Sequence, residues 1–111
     1  MGIYGSNKRN KGRAKREFNV QLKSANEVKQ VYSIDFSEGG MRVGGPMLQL
    51  SVGDQVELIL EKSGNKASFL GQVARQDGIE RIKRIGRDAN AFFIRIVDEK
   101  FVEFVKANFS V

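Results

Sequence analysis

From Phe18 to Val97 the chain runs in short stretches where apolar and polar residues alternate, each closed by a cluster of Gly, Asn or Asp. Alternation at period two marks strands with one face buried and the other exposed. Phe18, Val20 and Leu22 alternate with Asn19, Gln21 and Lys23, and Val28–Ile34 returns after a turn at Ala25-Asn26-Glu27. Ser37-Glu38-Gly39-Gly40 breaks the run, Met41-Arg42-Val43 reads as a short third strand, and Gly44-Gly45-Pro46 breaks it again. Leu48–Val52 is a connection ending at the turn Gly53-Asp54. Val56–Leu60 and Ala67–Arg75 form the arms of a hairpin turning at Ser63-Gly64-Asn65, and Gln76-Asp77-Gly78 starts another turn. Residues 79–90 fit two patterns: Ile79, Ile82 and Ile85 have helical spacing, whereas Arg81-Ile82-Lys83 alternates. Ala91–Val97 is a strand with Phe92, Ile94 and Ile96 on one face and Phe93, Arg95 and Val97 on the other.

The period then changes. Asp98 is suited to cap a helix over 98–109, along which Phe101, Val102, Phe104, Val105 and Phe109 recur at helical spacing. The pattern predicts a mainly all-β fold, a small antiparallel barrel or sandwich closed by a C-terminal α-helix. A length of 111 residues suits one domain. Residues 13–111 are assigned to it, and residues 1–12, rich in Gly, Asn and Lys, to a flexible basic arm.

Charge divides the chain a few residues later. Six of the 19 Lys and Arg residues lie within residues 1–16, which hold no acid, and the other 13 balance the 13 Asp and Glu. The net charge of +6 therefore belongs to residues 1–16, the arm and the four residues after it, which will attract phosphate. The absence of Cys and His excludes thiolate chemistry, His-based triads and the usual zinc sites. No metal or cofactor is expected. Without a long apolar run no membrane-spanning helix is expected, and the lack of cysteine leans towards the cytoplasm.

Two motifs carry chemistry. Arg9-Asn10-Lys11-Gly12-Arg13 is an R-x-x-x-R arrangement in the arm, and Asp35-Phe36-Ser37-Glu38-Gly39-Gly40 is a D-x-S-x-x-G arrangement at a strand end. In this order and separation they resemble the PilZ domain family. Gly40-Met41-Arg42-Val43, Val52–Leu58 and Phe69–Arg75 agree with the resemblance, which covers residues 9–98. It implies a six-stranded antiparallel PilZ-type β-barrel and a non-enzymatic receptor for cyclic di-GMP. The implied ligand residues are Arg9, Arg13, Asp35, Ser37 and Gly40, with Arg16, Gly39 and Arg42 as further candidates. Arginine forks onto phosphate or guanine O6/N7 and stacks on the base. Asp35 accepts from guanine N–H groups, Ser37 donates or accepts, and Gly40 keeps a Cβ out of the ligand's approach. The family often has Gly-hydrophobic-x-Phe near the last strand; here Phe93-Ile94-Arg95-Ile96 stands there, and the resemblance implies that Phe93 narrows one wall of the ligand site.

Each assignment has a plainer counterpart. Arg9 and Arg13 also suit a solvated tail, and Asp35, Ser37 and Gly40 suit ordinary turn chemistry. Arg81, Lys83, Arg84 and Arg87 read as a solvated loop before they read as a partner surface. The Phe101, Phe104 and Val105 stripe reads as core, and Glu57, Glu61, Asp98 and Glu99 as surface charge. The expected partners are cyclic di-GMP and a separate effector protein, with the chain a monomer or weak homodimer. Two alternatives stand beside this: a PilZ-like adaptor that binds no ligand, and a nucleic-acid module, disfavoured by the neutral body.

Overall fold

The computed structural model of this chain describes residues 19–62 and 64–108. Six strands occupy most of it: β1 (Asn19–Ser24), β2 (Glu27–Ser37), β3 (Gly40–Gly45), β4 (Gln55–Lys62), β5 (Asn65–Ile82) and β6 (Arg87–Arg95). All pairings are antiparallel, and the order β1-β2-β3-β6-β5-β4 closes on itself as a barrel. The period-two reading explains what fills it. Val20 and Leu22 point inward from β1, Leu58 and Leu60 from β4, and Phe92 and Ile94 from β6. Burying each such side chain contributes about 1.5–3 kcal/mol.

Helix α1 (Glu99–Asn108) covers one mouth of the barrel. The Asp98 carboxylate accepts from the Lys100 amide at 2.9 Å, the N-cap contact expected of this residue. Phe101 and Val105, four apart, share the buried face. The Phe69 ring of β5 meets Phe101 edge-on at 5.3 Å and Phe104 at 5.7 Å. No helix among the described residues is long and apolar enough to cross a membrane.

Three boundaries differ from the sequence reading. Gly44 and Gly45 do not break β3; they are its last two residues, paired with Ala91 and Asn90 of β6. Gln76-Asp77-Gly78 is no turn. β5 continues through it with a register shift between Gln76 and Ile79, and Gly78 takes the positive φ of 79° that this bulge needs. Residues 79–82 therefore belong to β5, Lys83–Ile85 form one 3₁₀ turn ending at Gly86, and β6 starts at Arg87. Phe18, Phe109 and the arm at 1–12 lie outside the described residues.

Candidate functional site

A single irregularity in β2 creates the site. Val31 and Ser33 are buried in the odd-numbered register, but the pairing with β3 shifts between Ser33 and Asp35. After the shift Phe36 takes the inward position opposite Met41. A one-residue slip reverses the face of every following side chain. Asp35 is thereby turned away from the hydrophobic interior and onto the outer face, with Ser37 two residues further on.

There Asp35 faces Arg42, its direct partner on β3. Arg42 Nη2 donates to Asp35 Oδ2 at 2.7 Å, and Nε donates to both carboxylate oxygens at 3.1 Å. Asp35 is only 3% exposed, and the Arg42 side chain 16%. The hydrogen bonds to Asp35 raise the Arg42 pKa above its already high ordinary value; burial opposes this, and the charges of Asp35 and Glu80 reinforce it. Arg42 is thus a fixed cation.

The pair belongs to a longer row. Arg42 is level with Phe93 of β6, and Phe93 with Arg75 of β5. The Arg75 guanidinium carbon stands 4.8 Å from the Phe93 ring centroid. The bulged part of β5 reaches back over β6: Glu80 accepts from Arg42 Nη1 at 3.3 Å, and Asp77 Oδ2 lies 3.8 Å from the same nitrogen. Asp77 also accepts from Arg75 Nε at 2.6 Å. Two arginines, three carboxylates and one aromatic ring therefore interlock across four strands. Such a surface offers fixed acceptors and cations side by side, and an aromatic face between them.

The motif glycines differ from each other. Ser37 pairs with Gly40 across the turn Glu38-Gly39. A Cβ on Gly40, whose φ is 151°, would sit 2.0 Å from the Ile94 carbonyl oxygen, so the β6 backbone fills that space. A Cβ on Gly39 would meet nothing within 4 Å. The turn is also tied to the helix side of the barrel. Gly39 O accepts from the Ile96 amide at 3.0 Å, and Lys106 of α1 lies 3.9 Å from Glu38.

The structure thus brings Asp35, Ser37, Gly39, Gly40 and Arg42 together on one hairpin, while Arg9, Arg13 and Arg16 lie outside the described residues. Phe93 stands on the same outer face, beside Arg42. Arg75, Asp77 and Glu80 were not singled out from sequence. Their one local signal was Asp77-Gly78, which reads as a turn until the strand is seen to continue. In the second basic cluster, Arg81 pairs with Asp88 at 3.4 Å, and Arg84 lies 5.2 Å from the Tyr32 ring.

Comparison with known proteins gives three findings. No curated protein matches the chain by sequence. Among solved structures it is similar to that of the Bacillus subtilis inhibitor of motility (MotI/DgrA), with a TM-score of 0.59 and 18% identity. That likeness covers 78% of this chain and 41% of the other, so the chain spans well under two thirds of that protein, and it concerns the fold. The family model of the PilZ domain matches residues 7–89, a span that contains the Arg9–Arg13 motif, the Asp35–Gly40 turn and the bulged part of β5. With most of its length matched by that model, and with the six-stranded barrel to go with it, the chain belongs to the PilZ domain family.

Proposed function

We propose that this PilZ domain is a non-enzymatic cytoplasmic receptor for cyclic di-GMP that signals to a separate protein. PilZ domains are generally receptor domains without catalysis of their own, which supports the class. The observation that carries the reading is the bulge that turns Asp35 and Ser37 outward on the face bearing Arg42. A carboxylate braced by a guanidinium presents fixed acceptors to guanine N–H groups. Arg9 and Arg13 supply the cations for phosphate and base. Reach permits it: β1 begins at Asn19, opposite Tyr32 and three residues from Asp35 along β2, or about 10 Å. The six residues from Arg13 to Asn19 span at most about 20 Å when extended. The arm closes over the ligand, and the altered edge engages the effector. The link from Gly39 to Ile96 gives a second route, through the segment that leads into α1.

Calorimetry tests this directly. Saturable binding of cyclic di-GMP is expected, without comparable binding of GTP or of a short single-stranded oligonucleotide. A second reading, an adaptor that binds no ligand, is favoured by one observation. Arg42 already engages Asp35, and the Ile94 carbonyl already fills the space beside Gly40, so the motif has structural work without a ligand. Silence towards cyclic di-GMP in the same titration selects the adaptor.

A further inference from the structure

The outer face that carries Asp35 and Arg42 continues one row beyond them. Met41 of β3 and Ile94 of β6 are paired and buried in the interior, so their neighbours Gly40, Arg42, Phe93 and Arg95 belong to the outer face. Two rows cross the strands there. Asp35, Arg42, Phe93 and Arg75 are level in one, and Ser37, Gly40, Arg95 and Gln72 are level in the next. The rows lie two residues apart along each strand, about 7 Å. In the second row Gly40 contributes no side chain. Ser37 and Arg95 therefore flank a gap two strand spacings wide, about 10 Å, with Arg42 and Phe93 along one edge.

Formal charge separates the two rows. The first holds Arg42 and Arg75 against Asp35, and the bulge of β5 adds Asp77 and Glu80. Two cations against three carboxylates leave that cluster with an excess of one negative charge. It offers acceptors to guanine, but cyclic di-GMP also brings two phosphates, each with a negative charge of its own. The row spacing is shorter than the screening length of about 8 Å at physiological salt, so the cluster repels them. Arg95 is the contrary case. It is exposed, and among the described residues it has no carboxylate partner. Glu38, the acid of the adjoining turn, lies 3.9 Å from Lys106 instead. Arg95 also stands outside both motifs, on a strand paired with β3 on one side and β5 on the other. Its backbone is already fixed, and its long stem lets the guanidinium sweep over a neighbour that has no side chain. We propose that Arg95 holds a phosphate of cyclic di-GMP over Gly40, with Ser37 on the far side of the same gap. The inference rests on the receptor reading above and adds to it the barrel's own contact with phosphate.

The test is calorimetry with cyclic di-GMP at two salt concentrations, on the full chain and its variants. In Arg95→Gln the affinity is expected to fall on the order of tenfold or more, and its dependence on salt to weaken. Arg95→Lys keeps the charge and with it the salt dependence. Lys66→Gln removes an exposed cation six residues before Gln72 on β5, and binds like the unaltered chain. A thermal scan verifies that each variant is folded. If the unaltered chain ignores cyclic di-GMP, the receptor reading falls and this inference with it. If the unaltered chain binds and Arg95→Gln binds equally well, the inference alone falls. It also falls if Arg95→Lys loses the salt dependence as Arg95→Gln does.

Discussion

Asp35 of β2 and Arg42 of β3 are direct cross-strand partners whose side chains meet outside the hydrophobic interior, with Arg42 Nη2 2.7 Å from Asp35 Oδ2. Asp35 is nonetheless almost fully buried. Removing Arg42 leaves that carboxylate without its guanidinium. Breaking a buried ion pair from one side costs about 3–5 kcal/mol, and the partial exposure of Arg42 puts Arg42→Ala at about 3 kcal/mol. Urea unfolding measures it. A double-mutant cycle with Asp35→Ala reads the coupling, and a value near zero would show that the pair contributes nothing.

On the proposed reading, Arg13→Ala should act on binding and not on folding. It precedes β1, so the melting temperature of the free protein should barely change. Affinity for cyclic di-GMP should fall by about 2–5 kcal/mol, the cost of truncating one side of a desolvated charge pair. Unchanged affinity by calorimetry would remove the arm from the site. Asp35→Ala should also weaken binding, but the lost portion should show little salt dependence, because the part proposed for it is guanine recognition.

The two motif glycines give opposite results. Gly39→Ala should shift the melting temperature very little, since its Cβ meets open space. Gly40→Ala drives a Cβ into the Ile94 carbonyl at a positive φ, and should cost about 3 kcal/mol or more through strain and displaced backbone. Equal melting curves for the two variants would contradict this packing.

Phe101 is the plug of the barrel mouth. Phe101→Ala empties a fully buried site and removes the edge-on contact with Phe69, for an expected loss of about 3–5 kcal/mol. Val102→Ala, half-buried on the same helix, should lose much less, and the difference in denaturation midpoint measures what the plug contributes.

Amide exchange over residues 9–16 should slow clearly when cyclic di-GMP is added, because two phosphates and two base faces give Arg9 and Arg13 something to order against. Exchange along α1 should change less. Strong protection of residues 9–16 before ligand is added would rule out folding of the arm on binding.

The strands whose patterns are local were legible in the residues. Val20 and Leu22, or Phe92, Ile94 and Ile96, needed only alternation, and Asp98 announced α1 as a cap should. What failed was whatever a bulge controls. Gln76-Asp77-Gly78 has turn composition, yet the pairing of β5 with β6 on both sides carries the strand through it. Gly44-Gly45 reads as a break, yet close packing beside Asn90 and Leu48 makes glycine suitable inside β3. The motif Asp35-Ser37-Gly40 was visible as a motif, but its outward face depended on a register shift that alternation alone does not reveal. Arg75, Asp77 and Glu80 join Arg42 only through the order of strands in the barrel, which is a long-range property.

Closure of the barrel has a consequence for how this chain meets other molecules. The ring of six strands is closed, but pairing among the described residues is one-sided in places: Glu27–Val31 of β2 pair with β1 alone, Ile79–Ile82 of β5 with β6 alone, and Arg87–Ala89 of β6 with β5 alone. Where both sides are paired, a foreign strand finds no bare main-chain groups, and a partner must read side chains there. Strand addition is left to one-sided stretches such as these.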